Sequence, residues 1–166
     1  MPRHIITVIR IALVGAIAFG LFFAVVVIPT TASDQVEQFP PYSPYAVPYA
    51  TAADLALLSV LGALLATLML LSMVTRDAIF TARAFVWVNA VIGCIAFATV
   101  VTTGVAAHLL FFGIPDPPDN DMQSLGLFLG TGACAALGVT FVLLMLVMRQ
   151  LLRQAVELRT EMAEVV

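Results

Sequence analysis

The sequence predicts an all-α polytopic membrane protein, an up-down bundle of four transmembrane helices with the N- and C-termini both cytoplasmic. Three observations predict it. The chain is 62% hydrophobic and only 10% charged, with a mean hydropathy of +1.09, which is far more apolar than an ordinary soluble domain. Four apolar stretches, residues 5–28, 52–74, 85–112 and 124–148, each reach the roughly 20 residues that a helix needs to cross about 30 Å of hydrocarbon with its backbone polar groups paired internally. The basic residues, all arginine (Arg3, Arg10, Arg76, Arg83, Arg149, Arg153 and Arg159), fall at the N-terminus, between the second and third stretches, and after the fourth. The opposite side carries Asp34, Glu37, Asp54, Asp116, Asp119 and Asp121. By the positive-inside rule the arginine side is cytoplasmic, so the net charge of −3 conceals a separation of basic inner and acidic outer ends. The whole chain, 1–166, is then one membrane domain, with outer loops at 29–51 and 113–123 and a cytoplasmic tail at 149–166.

The first span is uncharged from Ile11 to Ile28. That is longer than the roughly 7–15 apolar residues of a secretory signal, so it reads as a retained helix. Helices in lipid meet through small residues that let backbones approach. Span one offers Ala12, Ala16, Gly20 and Ala24 at four-residue spacing. The outer connection that follows contains "FPPYSPYAVPYA". Its prolines lack amide protons and fix φ, which favours extended, polyproline-like backbone. Tyr42, Tyr45 and Tyr49, with apolar rings and polar tips, suit a membrane interface. The strip is expected to lie over the bundle as a lid or to be presented to an extracytoplasmic partner.

Thr51 followed by Asp54 resembles a capping box that opens span two. Its small residues are Ala52, Ala56, Ser59, Ala63 and Ala66, spaced four and three apart. Span three begins near Trp87, an indole at home at the headgroup level, and lines up Asn89, Gly93, Ala96, Val100, Thr103 and Ala107. Asn89, Thr99, Thr102, Thr103 and His108 are the candidate polar intramembrane positions. Threonines bond back to their own helix readily, so such a stripe packs a bundle or lines a cavity formed on oligomerisation. His108 is weighed as an interfacial or pH-responsive residue. A haem held by two histidines is excluded within one chain, because the other one, His4, belongs to the opposite end.

The loop "PDPPDND" has carboxylates but not the spacing of an EF-hand, so no metal site is assigned. Span four carries Gly126, Gly130, Cys134 and Gly138 at GxxxG spacing, the most explicit helix-packing stripe in the chain. Cys94 and Cys134 lie mid-span, outside any CxxC pair, and read as packing residues. Beyond Arg149 the apolar positions Leu151, Ala155, Leu158, Met162 and Val165 continue the helix as an amphipathic tail.

Two segments resemble a known family. "IFTARAFVWVNAVIG" (residues 79–93) and "AVELRTEMAEVV" (residues 155–166) are similar to the third-span opening and closing amphipathic segment of a bacterial family of four-span membrane proteins of unknown function. The family's genes often lie beside a small helix-turn-helix regulator. Its closing signature is acidic and then Leu-Thr-Val-like, where this chain has "EMAEVV". The resemblance implies a bacterial cytoplasmic-membrane protein and supplies no catalytic residues.

Spans without an ionisable group at mid-membrane disfavour ion-coupled transport. No acid-base pair, metal cluster or cofactor motif points to an enzyme, and no cofactor is assigned. Scattered arginines set topology and do not make a nucleic-acid surface. The expected function is that of a non-enzymatic accessory, sensory or regulatory protein, with a transporter or channel subunit as the alternative. Its expected partners are the lipid bilayer, a membrane or cytoplasmic protein, and a second copy of the chain. Arg76, Arg83, Arg149, Arg153 and Arg159 are the candidate cytoplasmic contacts, and the three tyrosines the candidate outer contacts.

Overall fold

The computed structural model describes residues 3–74, 82–115, 117 and 122–164. Every regular element in it is helical: α1 (Arg3–Phe22), a π-helical turn (Phe23–Val27), α2 (Ile28–Gln38), a 3-10 turn (Pro40–Tyr42), α3 (Ser43–Val74), α4 (Ala82–Phe111) and α5 (Gln123–Glu164). Four helical stretches are long and apolar enough to cross a membrane: His4–Gln38, Pro40–Met73, Val86–Phe111 and Gln123–Leu151. Large apolar side chains such as Val14, Phe19, Leu58, Val100 and Leu143 stand exposed along them. So much contiguous apolar surface needs lipid as its solvent.

The first helix runs from Arg3 past the expected end of span one, because α1, the π turn and α2 are continuous. Pro29 explains the π turn. Its ring would meet the carbonyl four residues back, and a wider turn just before it relieves that contact. The Ile28 amide donates to the Phe23 carbonyl, five residues back. The Thr30 hydroxyl then donates to the carbonyls of Val26 at 2.7 Å and Val27 at 3.1 Å.

The extended outer loop expected over residues 29–51 is corrected by this structure. The chain breaks from helix only at Phe39, whose φ of −139° and ψ of 91° are extended, as the position before a proline favours. Pro40, Pro41 and Pro44 occupy first turns, where a missing amide proton costs little. Within α3, Pro48 lies inside the helix. The capping box is corrected too. Since α3 opens at Ser43, Thr51 and Asp54 are interior positions, and the Thr51 hydroxyl donates to the Pro48 carbonyl at 2.9 Å.

At the far end of α4, the Gly113 amide donates to the Leu109 carbonyl at 3.2 Å, with Gly113 at φ +64°. This is a left-handed helix stop that only glycine adopts without strain.

The packed faces follow alternating four-three spacing. In α1 and the π turn they are Leu13, Ile17, Gly20 and Ala24; in α4, Val91, Ile95, Ala98, Thr102, Val105 and Leu109; in α5, Ser124, Phe128, Thr131, Ala135, Gly138, Val142 and Met145. Strict four-residue stripes drift about 40° around the helix per step, whereas a 3.5 average stays on one side. The expected seams of spans one, three and four therefore meet the packed face only in places: Gly126, Gly130 and Cys134 are exposed, as are Asn89, Gly93 and Thr103. The four-three seam of span two does pack. Ala63 and Ala66 form the core with Val91, flanked by Trp87, Cys94 and Ile95.

The helices form a row, not a closed bundle. α1 and α2 pack on α3, α3 on α4, and α4 on α5, while among the described residues neither α1 nor α2 makes a close backbone approach to α5.

Candidate functional site

At the end of the molecule that carries the tyrosines, the row of helices curves around a cavity of about 760 Å³. Tyr42, Tyr45 and Tyr49 recur at three- and four-residue intervals, so the 3-10 turn and the helical start of α3 turn all of them to one side. All three line the cavity, and Ala46, Ala53 and Ala56 continue its wall. Small residues below large rings leave the open volume. Pro40, Pro44 and Pro48, four apart, are all exposed, so the positions without amide protons face away from it.

The aromatic residues are held as a cluster. His108 stacks on Phe112 with ring centroids 5.2 Å apart, and Tyr49 meets His108 edge-on at 5.8 Å. A hydrogen bond of 2.9 Å joins the Tyr49 hydroxyl and His108 Nδ1. With the hydroxyl as donor, the imidazole proton sits on Nε2. Tyr45 packs against both rings at 6.5 Å, and Phe39 meets Tyr42 edge-on at 5.0 Å.

Two glutamines close the remaining gap. The Gln123 side-chain amide at the start of α5 donates to Gln35 Oε1 on α2 at 3.0 Å, and both residues line the cavity. This bridge links two elements whose backbones stay apart. Sequence reasoning passed over both glutamines because it placed them in loops. The available signal was Thr31 and Gln35 four residues apart, the polar stripe of a short helix.

The structure separates the polar positions of span three. Thr99 is buried and donates to the Ile95 carbonyl at 2.7 Å. Thr102 donates to the Ala98 and Thr99 carbonyls, and Thr103 to the Thr99 carbonyl. Their hydroxyl protons are thus used on their own helix. Thr102 reaches the cavity wall, and Asn89 stands exposed toward the other end of α4. Asp54 is half-buried, with Oδ1 enclosed and without a hydrogen-bond partner among the described residues.

In the α5 stripe only Gly138 is in tight contact, beneath the Thr99 side chain. A Cβ built on Gly126 or Gly130 meets nothing within 4 Å. Arg149 and Arg153 are exposed at the opposite end of α5. Arg83 and Arg159 lie on the backbones of α4 and α5, while Arg76, Asp116, Asp119 and Asp121 lie outside the described residues.

Four long apolar helices around a cavity of ligand size define a multi-pass helical membrane protein. More narrowly, residues 30–166 match the family described as "Protein of unknown function (DUF2975)", and the chain belongs to that family. The match takes in α2 to α5, hence both glutamines and all three tyrosines. No curated protein and no solved structure matches the chain.

Proposed function

We propose that this is a non-enzymatic sensory or regulatory protein of the bacterial cytoplasmic membrane, in which the state of the outer cavity is passed to a cytoplasmic protein through α5. The single observation that carries this reading is the continuity of α5. One helix runs 42 residues from Gln123, whose side chain closes the cavity, to Glu164. At 1.5 Å per residue it is about 63 Å long, roughly twice the hydrocarbon thickness. The reading takes the arginine-bearing end of the spans to be the cytoplasmic one, as the positive-inside rule predicts. A helix without a break carries a change in tilt or rotation from one end to the other, and two packings of a helix row provide the states. The cytoplasmic partner would meet the tail, including Arg153 and Arg159.

The test fixes the cavity and reads the tail. A Gln35→Cys/Gln123→Cys pair, placed in a Cys94→Ser/Cys134→Ser background, is oxidised or left reduced in lipid nanodiscs. Hydrogen exchange over residues 149–164 is then compared. A difference between the two states is expected; identical exchange in the tail, with the crosslink verified, sinks the reading.

A further inference from the structure

We infer that the cavity holds a membrane lipid of the outer leaflet, with one acyl chain entering sideways between the first helix and α5 and its polar head at the Gln35–Gln123 pair. The inference names the occupant of the cavity to which the regulatory reading gives a sensing role, and is tested separately from it.

Size is the first argument. A volume of about 760 Å³ lies within the roughly 300–1,000 Å³ of sites that enclose a small organic molecule.

Depth is the second argument. Measured from Arg149, about 30 Å of hydrocarbon corresponds to about 20 residues of α5 and ends near Leu129. Thr131, which lines the cavity, is then inside the hydrocarbon, and Gln123 stands about 9 Å beyond it. The cavity therefore crosses the boundary between tails and headgroups, which is where a molecule with an apolar chain and a polar head is distributed.

The wall chemistry follows that division. Phe23, Val27, Val105 and Leu127 make its walls apolar. The Thr131 hydroxyl is committed to the Leu127 and Phe128 carbonyls, so it adds little polarity. At the outer end, the mutual bond of the glutamines uses one donor of Gln123 and one acceptor of Gln35. The Gln35 amide protons and the Gln123 carbonyl remain to bond a polar headgroup. Access comes from the row arrangement: among the described residues the backbones of α1 and α2 stay apart from α5, which leaves a side opening that the glutamine bridge spans.

The experiment uses the full chain in phosphatidylcholine vesicles that contain a phosphatidylcholine with a diazirine on its acyl chain. After irradiation, labelled residues are mapped by peptide mass spectrometry. Labelling at Ala53, Val105 and Leu127, which line the cavity, is expected to exceed that at Leu58, Val100 and Leu143, which are exposed outside it, by about tenfold, the ratio given by about 1.4 kcal/mol of preference. Filling the cavity from α3 with Ala53→Phe, or from α5 with Thr131→Phe, is expected to bring Val105 down to the level of the exposed residues and leave those unchanged. Equal labelling of cavity and surface overturns the inference. So does undiminished cavity labelling in a filled variant that keeps its helicity and melting temperature, or protection of the cavity by a second protein chain. Because the tail-exchange experiment uses no lipid probe, loss of one result leaves the other standing.

Discussion

At the residue scale, equivalent letters do unequal work. Gly126, Gly130 and Gly138 share one motif, but only Gly138 lies under another side chain, that of Thr99. Gly138→Leu is expected to lower stability by about 1–3 kcal/mol, since the added atoms displace Thr99 from a packed contact. Gly126→Ala, with nothing within 4 Å of the new Cβ, is expected to be neutral or to stabilise the helix by up to about 1 kcal/mol. Reversible unfolding in mixed micelles separates the two, and equal losses would mean that the whole stripe is packed. Tyr49→Phe, which removes the bond to His108, is expected to cost about 0.5–1.5 kcal/mol in the same assay. The presence of Gly126, Gly130 and Gly138 was legible in the sequence; which of them has a neighbour was not. A neighbour is chosen by the rotation of a helix about its axis, and the four-three pattern that sets this rotation runs through larger side chains such as Phe128 and Val142.

At the element scale, the membrane helices were readable from hydropathy, and so was the continuation of the fourth past Arg149 as a helical tail; the helical extension of the first and second into residues 29–51 was not. Counting prolines over residues 39–50 favoured a loop, but their positions decide the outcome. Three fall in first turns, where no amide hydrogen bond is lost, and four-residue spacing puts Pro44 and Pro48 on the exposed side. The π turn before Pro29 has the clearest consequence for the site. Deleting Val25 removes its extra residue, and each residue of a regular helix turns the chain by about 100°. Such a deletion is expected to rotate α2 and move Gln35 away from Gln123. Crosslinking of the Gln35→Cys/Gln123→Cys pair should then fall by at least about tenfold, on the order of 1.4 kcal/mol. Retained crosslinking would show that α2 is positioned by its packing on α3 alone.

For the whole molecule, charge placement and architecture make different statements. The arginines and carboxylates predict which end faces the cytoplasm. An Arg153→Cys variant is expected to react with a membrane-impermeant maleimide only after the cells are opened; labelling of intact cells would invert the topology and the proposed route to a partner. The order of spans was also legible, because short connections join neighbouring helices. The open row was not. Nothing in four apolar stretches says whether the first meets the last, since lipid satisfies an apolar helix face as well as another helix does. The cavity exists for this reason, and its residues come from every span.

The tight contact of Gly138 with Thr99 has a mechanical meaning when set against the length of α5. Gly138 stands about 22 Å from the Gln123 end and about 39 Å from the Glu164 end along the axis. If the helix pivots there, it is a lever with unequal arms, and a small sideways displacement at the Gln123 end returns about 1.7 times larger at the Glu164 tip. Enlarging the fulcrum residue would then weaken signalling in proportion to the tilt it prevents, even where the protein remains folded.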